Sequence, residues 1–214
     1  MEFISRSQAG QDRFVYLMIE KYLGMKDYKG KFLDIGACYP IQYNNTYEFE
    51  RRGWTGMLFE LEDKYAEDYK KQRKSPFYIG DVRFIDWVTI LTANGFPEGT
   101  VFDYMSLDID DGTLEMVRNF PWDKYTFRFI TAEHDLYKDG PEKKKEMYET
   151  FTKLGYICLH ENVANEYNPM EDWWAHPSLV KTTLLPSERG MNLDWTVMLP
   201  YLEGRFAERE TLEG

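Results

Sequence analysis

Phe32-Leu33-Asp34-Ile35-Gly36-Ala37-Cys38-Tyr39-Pro40 reads as the opening unit of an α/β sheet: a short buried strand ending in an acid and a glycine, then a loop. The loop runs to Asn44-Asn45-Thr46, residue types that start helices by bonding free backbone N–H groups. Strand, glycine turn and helix then recur along the chain.

Downstream, strands are expected at 57–60, 77–79, 102–109 and 127–132, with helices at 64–72, 86–93, 113–119 and 142–154 between or after them. A strand at 156–163 follows, and 170–175 returns beside it antiparallel. Upstream, Ser7 is the expected N-cap of a helix whose apolar face is Phe14, Leu17, Met18 and Leu23, stopped by Gly24. The pattern predicts a doubly wound, mostly parallel seven-stranded α/β sheet, with helices on both faces and an antiparallel C-terminal hairpin strand. No repeat, low-complexity block or linker divides the chain. One domain over 1–178 is expected, with 179–214, including an apolar stretch at 195–199 and a loop at 186–190, as an extension packed on it.

The 214 residues carry 37 acidic and 26 basic side chains, a formal net charge of −11. That balance opposes a protein that neutralises nucleic-acid phosphates, and no basic stripe exceeds Lys143-Lys144-Lys145. The charged run 142–146 reads as a solvated helix face. The longest wholly apolar run, 14–19, is far short of the roughly 20 residues of a membrane span. Met1-Glu2 lacks the basic start of a secretory signal. Cys38 and Cys158 form neither a CxxC pair nor a disulfide pattern. The expected location is cytoplasmic, with no membrane or nucleic-acid partner.

In an open doubly wound sheet, ligands bind beyond the carboxyl ends of the strands, where strand order reverses. Those ends carry Asp34 with Gly36, then Glu60, Asp81, Asp108, and Glu133 with His134. Gly36 would let a ligand approach the backbone, and Glu60 is placed to accept from two ribose hydroxyls. The segment 36–40 lacks the further glycines that hug a pyrophosphate, which counts against a dinucleotide-dependent oxidoreductase. S-adenosylmethionine has no phosphate, and its sulfonium suits a carboxylate-rich rim.

With these residues placed, the chain resembles the FkbM-type methyltransferase family over about residues 5–178. The resemblance rests on Ser7-Gln8-Ala9-Gly10-Gln11-Asp12, Asp34-Ile35-Gly36-Ala37 with Asn45-Thr46, and Gly53-Trp54 with Gly56 before Phe59-Glu60. It continues through Ser106-Leu107-Asp108-Ile109-Asp110, Ile130-Thr131-Ala132-Glu133-His134, Gly155-Tyr156 and Glu171-Asp172-Trp173-Trp174 before Pro177. It departs from the common pattern at Pro40, at Leu61 and at Asp111-Gly112. The resemblance implies a Rossmann-like class I methyltransferase using S-adenosylmethionine, with S-adenosylhomocysteine as product, mostly on hydroxyl oxygens of sugars and secondary metabolites. It further implies that Asp34, Gly36 and Ala37 line the methionine side of the cofactor, Glu60 its ribose and Asp81-Val82 its adenine. Gln8, Asn45 and Thr46 would close over the amino-acid end.

Transfer to a hydroxyl requires a base near the methyl group. His134, oriented by Glu133, is the first candidate, and Asp108 the second. Asp108, Asp110 and Glu133 could hold a divalent cation, although no metal is expected. His160 and His176 lack zinc spacing. Trp173-Trp174 would supply one core anchor and one stacking platform for a sugar. Tyr39, Tyr43, Tyr47 and Tyr167 sit at the same edge. The expected partner is a small hydroxylated acceptor, sugars and glycans included, with a homodimer left open. The competing class is a non-catalytic module that binds S-adenosylmethionine or another adenosine ligand.

Overall fold

The computed structural model describes residues 2–166, 168–180 and 194–213; Tyr167 and the loop expected at 186–190 lie outside them. The strands are β1 (Lys31–Ile35), β2 (Thr55–Glu60), β3 (Phe77–Ile79), β4 (Val101–Leu107), β5 (Thr126–Glu133), β6 (Ile157–Asn165) and β7 (Asn168–Ala175). They form one sheet in the order β3-β2-β1-β4-β5-β7-β6. The pairs joining β1 through β5 are parallel, whereas β7 runs antiparallel to both β5 and β6. The hairpin strand therefore wedges between β5 and β6. This places Asp172 and Glu171 opposite Ala132 and Glu133.

The helices are α1 (Gln11–Tyr16), α2 (Tyr47–Arg51), α3 (Ala66–Gln72), α4 (Trp87–Ala93), α5 (Thr113–Asn119), α6 (Leu136–Asp139), α7 (Pro141–Lys153) and α8 (Trp195–Glu213). Alternation along β1 divides two cores: Phe32 joins Phe14, Phe49 and Tyr69 on one face, while Leu33 and Ile35 join Trp87, Met116 and Phe151 on the other. The tryptophans of β7 follow the same rule. Trp173 lies in the first core and Trp174 in the second, both essentially without exposure, so neither is a sugar platform. Truncating either to alanine would cost about 3–5 kcal/mol.

Ser7 is not the N-cap of α1. Its hydroxyl donates to the buried Asp12 carboxylate (2.6 Å), as do the Ser5 hydroxyl (2.6 Å) and the Arg6 amide (2.7 Å). One buried carboxylate thus ties residues 5–7 to the first turn of α1, and left-handed Gly10 precedes the helix instead. Helix α1 continues as a π-helical turn over Leu17–Tyr22 before Gly24. The 195–199 stretch is the first turn of α8, whose Met198, Leu199, Leu202 and Phe206 enter the core with Phe14. A Cβ on Gly10 would lie 2.5 Å from Leu199 Cδ1, so glycine is needed where α8 crosses.

The 142–146 run is not wholly solvated. Lys143 and Lys144 turn inward toward Asp135 and Asp172, because those buried carboxylates need counter-charge; Lys145 remains exposed. No helix among the described residues is long and apolar enough to cross a membrane.

Candidate functional site

Strand order reverses between β1 and β4, and the two strand ends touch there: the Asp108 amide donates to the Ile35 carbonyl (2.9 Å). A cavity of about 400 Å³ opens at this point. It is lined by Gln8, Gly36, Glu60, Asp108 and Glu133 from the expected set, together with Cys38, Glu62, Tyr65, Asp110, Asp135 and Tyr137. Among the described residues, six carboxylates therefore line the cavity and no lysine or arginine does. A second recess of about 270 Å³ holds Asp81 and Val82 and shares Leu61, Ile109 and Asp110 with the first. The shared residues make the two recesses neighbours along one cleft.

Glu60, at the end of β2, has its carboxylate largely committed. Oε2 accepts from the Cys38 amide (2.8 Å), and Oε1 accepts from the amides of Leu61 (2.8 Å) and Glu62 (3.1 Å). A carboxylate offers about four acceptor positions. Glu60 keeps room for one further donor, rather than for the two ribose hydroxyls expected.

Asp34 does not line the cleft. It is buried beneath it, accepting from the Thr46 hydroxyl (2.7 Å) and the Asn44 amide (3.1 Å), and burial raises its pKa against those bonds. Thr46 is buried in that same network, and Ala37 is held by its amide on the Phe59 carbonyl (3.0 Å). Arg73, 7% exposed, completes the unit by donating to the Pro40 carbonyl (3.1 Å), Asn44 Oδ1 (3.0 Å) and Thr46 Oγ1 (3.1 Å). Asn45 donates to Ser106 Oγ (2.8 Å), while its buried Oδ1 has no hydrogen-bond partner. These residues shape the β1 loop from below. Arg73 has no local signal in the sequence, since its partners lie some 30 positions upstream.

His134 is placed away from the cleft. It is 1% exposed, its Nε2 meets Asp172 Oδ1 at 3.1 Å, and its Nδ1 accepts from the Leu136 amide (3.2 Å). Both ring nitrogens are engaged within the protein. Asp172, not Glu133, orients the ring, because β7 pairs beside β5. Burial pushes His160 down to about 4, packed between Phe14 and Trp173.

Asp108 and Glu133 hydrogen-bond to each other across the β4 and β5 ends. Burial, then the bond and charge of Asp108, pushes Glu133 up to about 11; burial also raises Asp108. Two carboxyl groups at this distance cannot both ionise cheaply, so the pair holds one proton between them. Tyr137, exposed on α6, bonds Asp135 at the rim.

Solved structures of similar architecture include methyltransferases. An O-methyltransferase from Bacillus cereus in complex with SAH superposes with a TM-score of 0.53 at 12% identity, covering 81% of this chain and 84% of that one. The chain has the class I methyltransferase fold. The O-methyltransferase TomG from Streptomyces achromogenes, in complex with SAM, gives 0.51 at 12% identity over 80% and 81% of the two chains. A putative O-methyltransferase from Klebsiella pneumoniae gives 0.51 at 12% identity over 78% and 80%. No family model and no curated protein matches the sequence. Within this fold the cleft described above lies at the switch point, where the architecture places ligands.

Proposed function

We propose that the protein is an S-adenosylmethionine-dependent O-methyltransferase of FkbM type, acting on a hydroxyl of a sugar or another small metabolite. The observation that carries this is the cleft's charge: among the described residues, six carboxylates and no basic side chain surround the switch point. A diphosphate would be repelled there, whereas a sulfonium and an ammonium are attracted. The buried, unpaired Asn45 Oδ1 beside Ser106 adds an acceptor seeking a donor.

S-adenosylmethionine supplies a methyl carbon on a sulfonium: an acceptor oxygen bonds that carbon, the carbon–sulfur bond breaks, and its electron pair stays on the sulfur of S-adenosylhomocysteine. Glu60 would receive one ribose hydroxyl, and Asp81-Val82 with Ile109 would flank the adenine. Gln8, held over the cleft by the Asp12 anchor, would cover the amino-acid end. The Asp108–Glu133 pair, rather than His134, is the group able to take the hydroxyl proton, because it reaches the cavity and carries one negative charge.

Calorimetric titration of S-adenosylmethionine, S-adenosylhomocysteine and NAD tests this reading, with Glu60→Ala in parallel. Micromolar binding of the two sulfur compounds, weakened in the variant and absent for NAD, is the expected result. A folded sample that binds neither sulfur compound would overturn it, and binding without turnover on any hydroxylated acceptor would leave a cofactor-binding module instead.

A further inference from the structure

The loop at 39–43 and the N-terminal residues 5–6 wall a second cavity, of about 640 Å³, that the cofactor reading leaves unused. Helix α3 closes its far side with Asp68 and Gln72. The volume falls within the roughly 300–1,000 Å³ of small-molecule sites. This cavity adjoins the cleft. Gln8 and Cys38 line the cleft, while Arg6 and Tyr39, one or two positions away, line the cavity. The Tyr39 ring also meets, edge to face, the ring of the cleft residue Tyr65, with 5.4 Å between centroids.

Both walls are fixed from beneath. Buried Asp12 holds the Ser5 hydroxyl (2.6 Å) and the Arg6 amide (2.7 Å) on one side. On the other, the Tyr69 hydroxyl donates to the Cys38 carbonyl (2.6 Å) and buried Arg73 to the Pro40 carbonyl (3.1 Å). This rigid backbone carries aromatic surface that the core does not use: Tyr39 is 49% and Tyr43 55% exposed. Tyr43 is held there at a φ of 55°, a region unfavourable for a residue with a Cβ. Rings presented to water on a fixed turn are preorganised to meet an apolar face without further loss of freedom.

The polar lining selects the kind of ligand. Arg6, Gln42, Asp68 and Gln72 are exposed, and each ends in a planar group with at least two hydrogen-bonding atoms. Their side chains have no hydrogen-bond or ion-pair partner among the described residues; Arg6 and Asp68 share the cavity without pairing. Forked donors and acceptors match pairs of adjacent hydroxyls, and a tyrosine face covers the C–H face of a saturated ring. One guanidinium opposed by a carboxylate is a poor phosphate site, and four polar side chains leave no continuous wall for an acyl chain.

We infer that this cavity is a subsite for a sugar ring, holding the unit of an oligosaccharide or glycoside next to the one that is methylated. Tyr39 and Tyr43 supply the stacking surface, and Arg6, Gln42, Asp68 and Gln72 bond the hydroxyls. A glycan that fills this cavity and reaches the cleft binds through two linked contacts, so oligosaccharides are preferred over free monosaccharides. The link to methyl transfer rests on the reading proposed above; the sugar site does not.

The test is saturation-transfer difference NMR on the full chain. The probes are cellobiose, maltotriose, lactose, xylobiose, chitobiose and digalacturonate, each beside its monosaccharide. At least one oligosaccharide should receive saturation more strongly than its monosaccharide. Tyr39→Ala and Tyr43→Ala should each weaken its affinity by roughly two- to tenfold, and Gln72→Ala, on the opposite wall, should weaken it too. Tyr201→Ala, at an exposed ring on α8, should leave it unchanged. All these positions are exposed, so the variants are expected to fold, and circular dichroism confirms it. No transfer to any of the six by folded wild-type protein, or equal affinity in the Tyr39, Tyr43 and Gln72 variants, would overturn the inference. S-adenosylhomocysteine calorimetry on the same samples reports on the cofactor separately: sugar binding without it sinks the methyl-transfer reading alone, and the converse sinks the sugar site alone.

Discussion

A Cβ on Gly36 would lie 1.6 Å from the carbonyl oxygen of Asp108. The glycine that ends β1 is thus required by the neighbouring strand end, not by an approaching ligand: β1 and β4 meet so closely that no side chain fits between them. Its φ of +86° adds a second reason, since that region is costly for residues with a Cβ. The same contact delivers Asp108 to the floor of the cleft.

Gly36→Ala is therefore expected to destabilise the fold by more than about 4 kcal/mol, among the largest single-residue effects. Urea unfolding followed by circular dichroism measures it. A variant within 1 kcal/mol of wild type (about one tenth of typical stability) would show that the strand ends can separate.

Replacing His134 separates structure from catalysis. In His134→Phe, buried Asp172 loses one of its donors and keeps the Asn162 amide (2.7 Å), so about 1–3 kcal/mol of stability should be lost. Affinity for S-adenosylhomocysteine should stay within a few-fold of wild type. Asp108→Asn should do the reverse in turnover assays, with near-normal binding of the product and little methyl transfer.

Stability should fall with rising pH through the Glu133 proton. The folded protein keeps that proton up to about pH 11, while an unfolded glutamic acid loses it near 4.5. The contribution is complete below 4.5 and is lost as pH climbs toward 11, because the unfolded chain binds fewer protons over that interval. Asp108, Asp135 and Glu171 face Glu133, and Glu171, pushed up to about 8 by burial, adds to the same slope. Glu133→Gln, which mimics the protonated acid, should match wild type near pH 4.5 and exceed it increasingly toward pH 9. Denaturation at both pH values in chelator tests this, and parallel curves would contradict it.

Arg73→Met removes the cation that spans Glu50 (3.3 Å), Asn44, Thr46 and the Pro40 carbonyl. Breaking such a buried pair on one side costs about 3–5 kcal/mol. Thermal unfolding should report the loss, and cofactor affinity should drop with it as the 37–44 loop loosens. An unchanged melting temperature would mean that the loop is held by Tyr69 and Asn44 alone.

Local pattern determined much of this protein. Alternating apolar runs and glycine or proline stops placed all seven strands and the acids at their ends, because burial periodicity and turn chemistry act within a few residues. The strand-end rule then located Gly36, Glu60, Asp108 and Glu133 at the cleft and Asp81 beside it, and the family resemblance added Gln8 and Val82. What only the tertiary structure decided is how those ends are partnered. Insertion of β7 beside β5 brings Asp172 onto His134 and withdraws it from the chemistry, and buries both tryptophans that looked available to a ligand. Arg73, by reaching back to the β1 loop, turns Asp34 and Thr46 into its foundation. The Asp108–Glu133 proton arises because strands β4 and β5 lie side by side although the two acids are 25 residues apart in sequence. Periodicity reports which way a residue faces; which other charge it faces is set by strand order, and the energies of buried charges depend on that distance.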